Sequence, residues 1–128
     1  MQDSPLVVAR ARLKAYIDKD RNAIEALLAA DYRFSSPIDN QLDRDTYLSR
    51  GWPNSQKMEE FNEIYALEDG TRAYIVYEAK AHDHRFRNSE VTTARGGKIV
   101  AVEVYFGWDL PHKASMYGFI ENDGQGHA

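Results

Sequence analysis

Apolar side chains recur at helical spacing through the first thirty residues and alternate with a period of two from residue 57 onward. Ser4-Pro5 reads as an N-cap followed by proline at the first helical position. Ala9, Leu13, Tyr16 and Ile17 then share one face, which predicts a helix over 5–18. Arg10, Arg12, Lys14, Asp18 and Lys19 fall mostly on its other faces. Asp20 can cap a second helix ending near Ala30, with Ile24, Leu27 and Leu28 as its buried stripe. DYRFSS (31–36) alternates as a short strand, Pro37 stops it, and PIDN has turn chemistry. Asp43 can cap a third helix carrying Tyr47, Leu48 and Trp52, closed by Gly51 and Pro53.

The second half reads as a meander. KMEEFNEIYAL is a strand, EDG (68–70) a turn, and TRAYIVYEAKA the next strand. HDH (82–84) turns the chain into RFRNSEVTTA, and the Gly-rich hairpin RGGK (95–98) leads into IVAVEVYFGW. That last strand is apolar almost throughout, which makes it either central or covered on both faces. Helices and strands are segregated, so the fold class is α+β. The expected architecture is a cone-shaped fold with three N-terminal helices packed on a curved, mixed or antiparallel sheet. The domain covers 1–112, and 113–128 forms a partly flexible tail of linker composition.

Composition removes several classes of function. The 128 residues include no cysteine, which excludes disulfides, thiolate metal sites and cysteine nucleophiles. The net charge is −4 with lysine and arginine scattered, so no nucleic-acid partner is expected. No apolar run approaches a membrane span, and Arg10 and Arg12 break the short N-terminal apolar stretch that a signal peptide would need. A cytoplasmic protein without cofactor is the expectation. His82, Asp83 and His84 are metal-type donors in a row. They sit at a hairpin turn where neighbours point apart, so no metal site is expected; His112 and His127 carry no signal.

Two stretches, KAYIDKDRNAIEALLAADYRFSSP and FRNSEVTTARGGKIVAVEVYFGW, give the chain a resemblance to nuclear transport factor 2-like (SnoaL-like, ketosteroid isomerase-like) proteins over about residues 5–110. The resemblance implies a cone open between the sheet and helices 1 and 3, and a homodimer through the outer sheet face. It also implies site residues. Tyr16, in AYI, matches the family's helix 1 tyrosine, and Glu90 matches the acid on the third meander strand; in ketosteroid isomerase these donate hydrogen bonds to an enolate. The family's base is an aspartate before a proline. Ser36 stands there, before Pro37, and needs another group to take its proton. Asp39, three residues on, is the candidate for that role.

Parity carries the rest. Glu90 shares a strand face with Phe86, Asn88 and Thr92, and Arg87, Ser89 and Val91 take the opposite one. In an apolar cavity desolvation disfavours a charged carboxyl, which would leave Glu90 neutral and able to donate. Phe34, Ser36, Trp52, Tyr77, Asn88, Val102, Val104, Phe106 and Trp108 are the expected ligand-binding wall, the last four apolar ones on one face by period two. The leading expectation is a pocket for a small, mostly apolar molecule, with isomerase- or cyclase-type proton transfer through Tyr16, Glu90 and Asp39. The alternatives are a non-catalytic binding module and a dimeric scaffold whose cone is filled by Trp52, Phe106 and Trp108. Epoxide hydrolysis would need an inward arginine bracketed by acids; of Arg33, Arg85 and Arg87, parity sends most outward.

Overall fold

The computed structural model describes residues 4–121, so His127 and the last part of the expected tail lie outside the described residues. Helix α1 spans Pro5–Asp18, with the Ser4 hydroxyl accepting from the Val7 amide at 3.2 Å. Lys19 closes it in the left-handed region. Helix α2 (Arg21–Leu27) begins where the Asp20 carboxylate accepts from the Ala23 amide. It ends at Leu27, not near Ala30. Leu28 already pairs with Ile99, so strand β1 (Leu28–Ser36) takes a stretch of good helix formers.

Of PIDN, Pro37 and Ile38 form the expected turn, and the rest does not. Asp39–Asp43 is a short edge strand, β2, antiparallel to β1 with Phe34 opposite Leu42. Its polar sequence hides it from a periodicity argument, and its pairing with β1 supplies what the pattern lacks. The third helix is not N-terminal: it follows β1 and β2. Asp43 caps α3 (Arg44–Thr46), which runs without a break into a π-helical turn (Tyr47–Gly51) and a 3-10 stretch (Trp52–Lys57). Pro53 sits at the start of that stretch, where its missing N–H costs nothing, so it does not stop the chain.

Four long strands follow: β3 (Met58–Asp69), β4 (Arg72–Ala81), β5 (His84–Arg95) and β6 (Lys98–Leu110). The sheet order is β2-β1-β6-β5-β4-β3, with β1 and β6 parallel and every other pair antiparallel. The architecture is therefore α+β, three helices on a mixed six-stranded sheet, and β6 is central. Its inner residues Ile99, Val102 and Val104 join Tyr16, Ile24, Tyr32 and Tyr47 in the larger core cluster. Ala9 of α1 meets Ala73, Ile75, Tyr77 and Ala79 of β4 in the smaller one. No described helix is long and apolar enough to cross a membrane.

A bulge in β6 decides what faces inward at the open end. Asn88 pairs with Phe106, but the next residue of β5, Arg87, pairs with Trp108, so Gly107 is extra. A Cβ at 107 would lie 2.1 Å from the Arg87 carbonyl oxygen, so the close approach requires glycine. The expected run of Val102, Val104, Phe106 and Trp108 on one face is broken there. Trp108 turns toward outward-facing Arg87, whose guanidinium lies 5.5 Å from the indole, and Asp109 moves inward opposite Phe86.

Candidate functional site

Helix α1 lies across the inner face with Val8, Arg12, Ala15 and Tyr16 all buried. Arg12 is the surprise. It falls within the apolar stripe, four residues from both Val8 and Tyr16, and is only 3% exposed. The signal was its spacing, since i and i+4 share a helix face; its charge argued the other way, because arginine is seldom buried unpaired.

Arg12 has a partner. Its Nη1 donates to Glu90 Oε1 at 2.7 Å, and Tyr77 Oη donates to Glu90 Oε2, also at 2.7 Å. The expectation of a neutral, donating Glu90 is thereby overturned. Both oxygens accept, one of them from a guanidinium that stays charged, so Glu90 is the ionised counter-charge of a buried pair. Arg12 Nη2 approaches Tyr47 Oη at 3.3 Å and Tyr16 Oη at 3.5 Å, and the two phenols hydrogen-bond each other. Arg12 Nε and the Tyr32 hydroxyl are buried without a partner among the described residues. Burial pushes the Tyr16, Tyr32 and Tyr77 phenols well above the ordinary tyrosine range, so all three hold their protons at neutral pH.

These groups close one end of a cavity of about 710 Å³. That volume suits a small-molecule pocket. Tyr16, Phe34, Tyr77, Asn88, Glu90 and Val104 line it, with Met58 and Phe61 as apolar wall that sequence reasoning did not single out. Phe61 meets Tyr77 edge to face at 5.0 Å. Asn88 Oδ1 accepts from the Gly107 amide, so this side chain pins the bulge as well as lining the wall.

Two expected wall residues stand behind the cavity. Trp52 packs edge-on against Tyr16 at 5.0 Å, and Val102, opposite Thr92, is fully enclosed in the core. Phe106 and Trp108 border the mouth, about half exposed, and do not fill it. Ser36 and Asp39 reach the mouth together: Ser36 Oγ donates to Asp39 Oδ2 at 2.9 Å. Arg50 Nε donates to the other Asp39 oxygen at 3.1 Å. His84 also borders the mouth, its Nε2 3.2 Å from Asp109 Oδ1 and its ring stacked on Phe86.

No protein-family model and no curated protein matches the chain. Solved structures do. An NTF2-like protein of unknown function from Burkholderia xenovorans is 16% identical with a TM-score of 0.69, the match covering 93% of this chain and 87% of that one. A candidate ketosteroid isomerase from Kribbella flavida is 17% identical at a TM-score of 0.68, over 94% and 84%. A candidate polyketide cyclase from Sinorhizobium meliloti is 16% identical at 0.67, over 76% and 92%. The class is thus an α+β protein with a cavity between helices and sheet. Its fold is the nuclear transport factor 2-like fold.

Proposed function

We propose that this chain binds a small, mostly apolar molecule bearing a carbonyl-type oxygen, held in a cone-shaped cavity with that oxygen on Tyr16. The observation that carries this reading is the proton count at the closed end. Arg12 donates toward both phenol oxygens, and one phenol donates to the other, so one phenol proton is left over. On Tyr47 it would be buried and orphaned, since the Tyr32 hydroxyl makes no bond to it. On Tyr16, which lines the cavity, a ligand oxygen could accept it. The charged guanidinium polarises the relay from Tyr47 to Tyr16 and strengthens that last donor.

Binding without chemistry fits this end of the cavity better than proton transfer. Glu90 is committed to Arg12 and Tyr77. His84 stands six residues from Glu90 along β5, about 20 Å in an extended strand. One observation favours an enzyme of the isomerase or cyclase kind: Ser36 is hydrogen-bonded to Asp39. Ser36 lies beside Val104, two strands from Glu90 or about 10 Å, and Asp39 could receive its proton. Arg50 opposes this by occupying the other Asp39 oxygen. An epoxide-hydrolase reading finds an inward arginine with one acid rather than two. The scaffold reading is disfavoured because the aromatic rings leave the cavity open.

The test is ligand-observed NMR with 2-acetylnaphthalene, a flat apolar ketone, together with mass spectrometry of molecules that co-purify. Tyr16→Phe should weaken the ketone about tenfold while leaving the fold intact, the worth of one well-made hydrogen bond. Equal affinity of the two proteins would remove Tyr16 from the site.

A homodimer through the outer sheet face belongs to the same proposal. Tyr65, Leu67, Tyr74 and Tyr105 are exposed there, on a face that no helix covers. Tyr74→Glu combined with Tyr105→Glu should shift sedimentation from dimer to monomer. A wild-type chain that sediments as a monomer at micromolar concentration would end the dimer reading.

A further inference from the structure

Arg12 and Glu90 are the only charged side chains among the buried described residues. We propose that Glu90 selects the charge of the ligand: by neutralising Arg12 it makes the closed end a receptor for uncharged carbonyl compounds and turns carboxylates away. This rests on the reading of the cavity as a ligand site and narrows its substrate class.

A free buried guanidinium would offer a two-pronged fork that suits a carboxylate. Here both Nη prongs are engaged, and the unpartnered Nε is itself buried. Nη1 donates to Glu90, and Nη2 is aimed at the oxygens of Tyr16 and Tyr47. What remains for the ligand is a neutral phenol proton on Tyr16. A carboxylate placed there would stand beside Glu90 with no unspent positive charge, in a site where desolvation is costly and like charges repel strongly. An uncharged ketone meets neither penalty. The mouth does not alter this balance, because its carboxylates are also paired with cations, Asp39 with Arg50 and Asp109 with Lys113.

Two probes of matched size separate the cases: 2-acetylnaphthalene and 2-naphthoate, titrated near neutral pH. The wild-type chain is expected to bind the ketone at least about tenfold more tightly. Glu90→Gln keeps the size and an acceptor for Tyr77 but leaves Arg12 unneutralised. In that variant naphthoate should gain about tenfold or more, and the preference should vanish or reverse. Arg12→Met/Glu90→Gln restores a neutral closed end and should again prefer the ketone, which keeps the test decisive even where the single variant fails to fold. Naphthoate binding as well as the ketone to the wild-type chain would overturn the proposal. So would an unchanged ratio in folded Glu90→Gln, or a carboxylate preference in the double variant. Binding of neither probe by the folded wild-type chain would overturn the ligand-site reading itself.

Discussion

Glu90→Ala should lower the unfolding free energy by about 3–5 kcal/mol, because it strands a buried guanidinium without its counter-ion. Arg12 and Glu90 have side chains only 3% and 8% exposed, so little solvent reaches the guanidinium to replace the lost partner. Tyr77 loses its acceptor in the same step. Against a total stability of ~5–15 kcal/mol for a small domain, this is a large share. Urea denaturation followed by circular dichroism measures it. The control is the double variant Arg12→Met/Glu90→Gln, in which no charge is buried and an amide oxygen can still accept from Tyr77. It should recover more than half of the loss, since replacing a whole buried pair costs far less than breaking one. A Glu90→Ala loss below about 1 kcal/mol, in the range of an exposed ion pair, would mean that the closed end is wet and the site has a different electrostatic character.

The same pair shows how much of the site could be read from the chain. Strand parity brought Asn88, Glu90 and Thr92 to one face because β5 pairs regularly with β4 along its whole length. Helical spacing brought Tyr16 inward. The same spacing puts Arg12 on the Tyr16 face, but its charge argued for solvent, and only tertiary structure shows that a counter-charge seventy-eight residues away makes burial tolerable. The chemistry of Glu90 is not legible in the sequence for that reason. Its position followed from local rules, whereas its ionised, accepting role follows from a partner on another element. Strand β2 is hidden in the sequence on similar grounds. DNQLD has no apolar alternation, and it forms a strand because β1 offers it an open edge. Leu28, Ala29 and Ala30 read as helix by propensity and became strand when β6 supplied a parallel neighbour.

The mouth of the cavity depends on one residue whose substitution should have the second large effect. Gly107→Ala should destabilise the fold by about 2–3 kcal/mol, the upper range for forcing a backbone shift in a packed site. The added Cβ would lie 2.1 Å from the Arg87 carbonyl oxygen and 3.0 Å from its carbon, and backbone atoms cannot rotate away. The Gly107 amide would also be pulled from Asn88 Oδ1. Relief by sliding β6 one residue would carry a functional cost. Arg87 would then face position 107 and Phe86 would face Trp108, which turns the indole inward over the mouth and Asp109 outward. Urea unfolding reads the stability, and Trp108 fluorescence with and without 2-acetylnaphthalene reads the mouth. A Gly107→Ala chain within about 0.5 kcal/mol of wild type, a change typical of a neutral surface substitution, would show that the bulge is not held in place by this close approach. In that case the inward setting of Asp109 beside His84 would need another cause.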